Sequence, residues 1–319
     1  ICPSTTSTAL ATLFTGLEPV AHGLLGYELW LGEYGLLTQM LALQPAMGPG
    51  KETLLDWGLK PESFLPAGGL GEWCDMADIQ TTALVPAQYA HGALTRMCYR
   101  HFYRIVGYAD VVDMWESLHH LLGHDDAERS LYIVYWGGID RTVHHEGARG
   151  GHWRAALDNA TRAAEERFFW RLTRDRRADT AVVVLADHGF VHSPPEGAHA
   201  IDKDPAFVRH LLMPFSGESR VAYLHCLDAN NPAARADLQE ALGSGYVVLD
   251  AAEALKSGLF GTSRPHPETT RRLGHLIVIA RGERYLLYGE KAQDLRGRHG
   301  GLTPEEMLIP WLLARLDAL

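Results

Sequence analysis

Several things are scarce in this 319-residue chain, and each scarcity narrows the reading. There are four cysteines, Cys2, Cys74, Cys98 and Cys226, with no CxxC pair among them. In a chain this long, that pattern points to buried thiols rather than to a disulfide framework. No apolar run approaches the roughly 18 to 20 residues that cross a bilayer. Lys and Arg number 29 against 39 Asp and Glu, a formal charge of −10. That balance argues against a general surface for nucleic-acid polymers, whose phosphates are held mainly by Lys and Arg. It leaves room for a small anionic substrate, because bound divalent cations can dominate a local field. Internal repeats and low-complexity segments are absent. The chain also begins at Ile1 rather than Met, directly inside a motif, so a preceding N-terminal piece is expected.

What remains is ordinary globular composition, 46% hydrophobic and 21% charged. The length suits one large domain over 1–319, with residues 193–273 expected as a lid or subdomain within it. The opening stretch Pro3-Ser4-Thr5-Thr6-Ser7-Thr8 sets a hydroxyl cluster ahead of Leu10, Leu13, Phe14 and Leu17, which recur at helical spacing. A Ser/Thr cap explains such a cluster. A helix N-terminus is also where a phosphoryl oxygen or an alkoxide is best accommodated.

Residues 27–100 show no clean period and read as loops and short helices. A helix is expected from about Asp110 to Leu122. Leu131–Trp136 and Ala181–Ala186 are continuous apolar runs of strand length, the signature of interior strands in a parallel sheet. They run into Asp140 and into Asp187-His188-Gly189, and His152–Arg174 between them is helical. This is a β-α-β crossover, with ligand-bearing residues beyond the carboxyl ends of the strands. Further on, strands are expected at Val221–His225 and Leu276–Ala280, the latter with a hairpin partner at Tyr285–Tyr288. A helix is expected at Ala233–Leu242, and a final one capped by Thr303 with Pro304 in its first turn.

Asp140 and His144 stand in D-x-x-x-H spacing, Asp187 and His188 are adjacent, and His299 lies in a glycine-rich turn. Two Asp and three His at strand or loop ends are the ligand types of a zinc site. With 17 histidines in the chain, each piece alone is weak.

Taken in order, P-S-T-T, P-x-x-H-G, D-x-x-x-H-x-x-G, A-D-H-G and H-G-G-L-T-P-E-E-M resemble the alkaline phosphatase superfamily. Within it the chain is most similar to the type I phosphodiesterase and nucleotide pyrophosphatase branch. Gly217-Glu218, Arg220 and Arg272-Leu273-Gly274 also look like that branch. The resemblance implies an α/β fold, an alkaline-phosphatase-like sandwich with a mostly parallel central sheet between helices. It implies Thr6 as nucleophile, a phosphothreonine intermediate and two zinc ions. Asp140, His144 and His299 would hold one ion; Asp187 and His188 would hold the other, which Thr6 also contacts. The family takes one more Asp from a strand upstream of the nucleophile, a position that would precede Ile1. Tyr27 stands where this branch commonly has an Asn touching a phosphoryl oxygen; a phenol there either donates one hydrogen bond or packs beneath a loop. The implied substrate is a small phosphodiester or a nucleotide. Rival readings are a phosphomonoesterase, a phosphonate hydrolase, or a non-catalytic relative with a decayed site. No clamp for a monoester's second charge is assignable; Arg141 and Arg149 are near in sequence and read as solvated.

Overall fold

A computed structural model describes residues 1–48, 50, 53–66, 68–228, 232–289 and 292–318. Strands and helices alternate through much of the chain, as an α/β fold requires. The opening helix, Thr6–Thr15, is almost wholly buried, with Leu13 the exposed exception on the expected apolar face. Phe14 meets Tyr99 and Phe102 at ring-centroid distances of 4.5 and 5.9 Å. Gly16 ends the helix in the left-handed region, where a side chain is strained.

A parallel sheet shares a hydrophobic core with this helix, in the order Arg104–Tyr108, Gln80–Pro86, Ser130–Val134. Ser130–Val134, at one edge, is one of the expected apolar strands. The other two fall where loops or no strand were expected. Gln80-Thr81-Thr82 hid the central strand, because its polar start breaks the apolar run, although Thr81 and Thr82 are buried. The expected strand at Ala181 runs Ala181–Leu185, but it pairs antiparallel with Trp311–Arg315, Leu185 opposite Trp311. Its described partner is therefore not the Ser130–Val134 strand, and Val183 and Val184 stay exposed, as do Trp311, Leu312 and Leu313. An apolar run signals a strand but carries no information about its partner or direction. Asp187 lies just past the carboxyl end of its strand, and Asp140 lies in the helix Gly138–Glu146 that follows Ser130–Val134.

The largest sheet among the described residues has seven strands, antiparallel in every pairing. It joins Glu28–Leu31 through Ser216–Gly217 to Val221–Leu224, Leu276–Ala280 and Tyr246–Asp250. Leu36–Gln39 and Gln44–Pro45 extend it on the other side, which corrects the reading of this region as loops and short helices. The stretch 193–273 supplies three of the seven strands, so it shares a sheet with Glu28–Leu31. Tyr285–Leu287 pairs in parallel with Ala198–Ala200, not as a hairpin with Leu276–Ala280. Helices at Val111–Gly123 and Pro232–Leu242 match their expected positions, and Asp110 caps the former through two peptide N–H groups. The long helix runs His152–Arg167 and gives way to shorter turns before Ala178. All four cysteines are buried and unpaired. Among the described residues no helix is long and apolar enough to cross a membrane.

Candidate active site

Thr6 is the first residue of the opening helix, and its Oγ1 lies 3.1 Å from His188 Nε2. The helix N-cap position belongs to Thr5, yet the Thr5 hydroxyl makes no capping bond. Asp140 and His144 fall one turn apart on the Gly138–Glu146 helix, which puts them on one face; His144 Nε2 is 3.4 Å from Asp140 Oδ1. His299 Nε2 is 3.9 Å from the same oxygen. Asp187 Oδ2 is 3.5 Å from His188 Nε2. The His188 and His299 rings stack at 3.8 Å. Six of the seven residues singled out from the sequence thus lie around one centre.

The donor chemistry fits a divalent cation. Each of the three imidazoles sets Nδ1 against a backbone carbonyl: His144 on Gly297, His188 on Gly189, His299 on Ser4, at 2.9 to 3.1 Å. That makes Nδ1 the protonated nitrogen and leaves an Nε2 lone pair for a ligand, the arrangement usual for metal-binding histidines. Asp140 Oδ1 is buried with no hydrogen-bond donor. Ligand atoms of Asp140, His188 and His299 all lie within 4.8 Å of one another, and this is the one such group among the described residues. Burial, with His188 and His144 beside it, holds the His299 imidazolium well below its ordinary range, so the ring is a neutral donor. Burial pulls His144 the same way, but the Asp140 carboxylate 3.4 Å from its Nε2 outweighs it and raises that imidazolium.

The remaining expected residue, Tyr27, is half-buried, and its phenol accepts a hydrogen bond from Gln39 Nε2. Burial pushes that phenol up. Its peptide N–H donates to Glu218 Oε1 at 2.9 Å. Arg149 pairs with Glu283, and Arg141 is exposed.

Residues not singled out as site residues hold this centre in shape. Phe190 presents its ring nearly edge-on to His144, His188 and His299, at 5.5, 5.2 and 5.4 Å. Ser4 joins the two chain ends: its Oγ donates to Gly301 O at 2.8 Å and accepts from Gly300 N at 3.1 Å. Arg220 and Glu306, both fully buried, form a two-point ion pair, and Glu306 also accepts from Gly301 N. Burial raises the Glu218 carboxyl to about 7. Ser4, Glu218, Arg220 and Glu306 fall in stretches that carry the family resemblance, and Glu306 has a local signal besides: it stands three residues after Thr303, the spacing of a capping box, and that box is formed. Gly300 is required, since a Cβ there would sit 2.6 Å from the Glu218 side chain, at φ +102°.

Comparison with known proteins bears on the family and the fold. The profile of the type I phosphodiesterase / nucleotide pyrophosphatase family matches residues 1–302. Among curated proteins none matches the sequence. Murine ectonucleotide pyrophosphatase / phosphodiesterase 5 superposes with TM-score 0.70 at 14% identity, over 98% of this chain and 77% of that one. The human protein of the same name gives the same values. An inactive variant of the murine protein is known in complex with AMP. Phosphonoacetate hydrolase from Sinorhizobium meliloti 1021 superposes with TM-score 0.62 at 16% identity, over 98% of this chain and 79% of that one. At such identities the likeness establishes the fold, and the profile match establishes the family. The chain belongs to the type I phosphodiesterase / nucleotide pyrophosphatase family.

Proposed function

We propose that this chain is a hydrolase that cleaves phosphodiester or nucleotide pyrophosphate bonds through a phosphothreonine intermediate on Thr6, with two zinc ions. The observation that carries the reading is the Thr6 Oγ1 to His188 Nε2 distance of 3.1 Å, beside the Asp140, His188 and His299 cluster. Asp140, His144 and His299 would hold one ion, Asp187 and His188 the other; the nitrogen and oxygen donor set suits zinc. Such ions lower the pKa of a neighbouring hydroxyl and offset charge on phosphoryl oxygens.

In the proposed reaction Thr6 Oγ forms a bond to phosphorus as the bond to the leaving oxygen breaks. The hydroxyl proton passes to solvent. Water then cleaves the Oγ–P bond and restores the threonine. Two in-line displacements retain configuration at phosphorus. Tyr27 is proposed to contact a phosphoryl oxygen of the substrate. The AMP complex of the murine relative supports a nucleotide-type substrate.

The test is paired hydrolysis of bis(4-nitrophenyl) phosphate and 4-nitrophenyl phosphate by zinc-loaded protein. A diester preference that falls by about three orders of magnitude or more in Thr6→Ala is expected. A monoester preference would favour the phosphomonoesterase, and turnover of phosphonoacetate alone the phosphonate hydrolase. Inversion at phosphorus would remove the covalent intermediate.

A further inference from the structure

We infer that Glu218 is a positioning residue for this reaction, its buried carboxylate tying the Thr5 hydroxyl and the Tyr27 peptide N–H together and so fixing where Thr6 Oγ1 points. The inference rests on the proposed role of Thr6. Glu218 comes from the seven-stranded sheet, 191 residues away from Tyr27 along the chain. It stands in the turn between Ser216–Gly217 and Val221–Leu224, where its own N–H donates to Val221 O at 2.8 Å. Both neighbours of this turn are anchored. Ser219 O accepts from Leu286 N at 2.7 Å, and Arg220 is clamped by Glu306. The carboxylate is therefore mounted on a rigid base rather than on a loop.

Three pieces of the candidate site converge on it. The Thr5 hydroxyl donates to it. The Tyr27 N–H donates to Oε1. Gly300, next to His299, lies against its Cβ and Cγ. Thr5 is the telling partner. As N-cap of the opening helix it could satisfy a peptide N–H of the first turn. It forgoes that bond and turns to Glu218 instead. A buried carboxylate is itself costly to keep in a fold. A cap given up for a buried acid, one residue before the nucleophile, is the pattern of a site built for geometry at the expense of stability.

The test uses Glu218→Gln and Thr5→Val, singly and together, in the zinc-loaded protein with bis(4-nitrophenyl) phosphate. Glutamine keeps the shape and one acceptor but cannot accept from both donors as a carboxylate does; valine removes the hydroxyl at constant size. Each single variant is expected to lower kcat by about 100-fold, the cost of a small misplacement of a reacting atom, with KM nearly unchanged. The double variant is expected to fall no more than about threefold below the worse single, because both changes break one linkage. Losses that multiply, or a Glu218→Gln protein with unchanged kcat, would overturn the inference. If Glu218→Gln does not fold, Thr5→Val alone decides, and full activity in it overturns the inference.

Failure of the unsubstituted protein to turn over any diester would count against the proposed function alone. Hydrogen exchange of isotope-labelled tyrosine amides then decides for Glu218. Glu218→Ala should speed exchange at Tyr27 about tenfold or more while leaving Tyr223 unchanged. Equal protection at Tyr27 would overturn the clasp.

Discussion

Ser4 shows how much a single small side chain can do at this site. Its hydroxyl links Gly300 and Gly301, while its carbonyl accepts a hydrogen bond from His299 Nδ1. Ser4→Ala keeps the carbonyl contact but leaves a buried Gly300 N–H without its partner, at a cost of about 2 kcal/mol. The urea midpoint should fall accordingly, with an unchanged m-value. Phe190 is a second case. Its ring touches all three imidazoles, and Phe190→Ala would free them to turn about χ2. Affinity for zinc, the proposed metal, read by competition with a chelating dye, should then fall by about tenfold, the lower end for groups that support metal ligands from outside.

At the scale of elements, the turn Gly297–Gly301 is held by a helix that begins several residues after it. Glu306, in the Pro304–Met307 helix, closes a capping box on Thr303, accepts from Gly301 and pairs with Arg220 from the antiparallel sheet. The pair is fully buried, so removing one member leaves the other charge stranded. Glu306→Ala should destabilise the protein by about 3–5 kcal/mol; a loss below 1 kcal/mol in chemical denaturation would contradict the buried-pair account. The opening helix depends on its surroundings in the same way. With no acidic residue in its first turn and no side-chain cap, it is held by the aromatic packing of Phe14 and by Thr12 on His22 at 3.0 Å.

Across the whole molecule, buried histidines away from the candidate metal centre set the acid stability. Burial, then His266 and Arg272 nearby, lowers the His22 pKa to about 3. Burial, with His275 beside it, lowers that of His225 to about 4. The unfolded chain binds protons near pH 6.5 that the folded one refuses. Stability is therefore full above that pH and is lost as pH falls toward the folded-state values. Between pH 7 and 5 each histidine contributes a loss of about 2 kcal/mol. Urea midpoints at the two pH values should differ less in His22→Gln than in the unsubstituted protein; an equal difference would exclude His22 as a contributor.

Much of the candidate site was legible in the sequence because its residues sit at local punctuation. Thr6 starts a helix, Asp140 and His144 share a helical turn, and Asp187-His188 follow an apolar strand; each spacing is a short-range property of the backbone. The α/β class followed from the same strands and helices. The strand Gln80–Pro86 was not legible, since its polar first half is buried only by neighbours on both sides. Nor was the antiparallel pairing of Ala181–Leu185 with Trp311–Arg315, because side-chain periodicity is blind to strand direction. The Ser4–Gly301, Arg220–Glu306 and Glu218–Tyr27 contacts join positions 297, 86 and 191 residues apart. The sequence by itself determined which chemistry-bearing residues stand at the ends of helices and strands. Only the tertiary structure decided that these ends meet and what holds them together, because long-range contacts depend on how whole sheets and helices pack, and no local spacing records that.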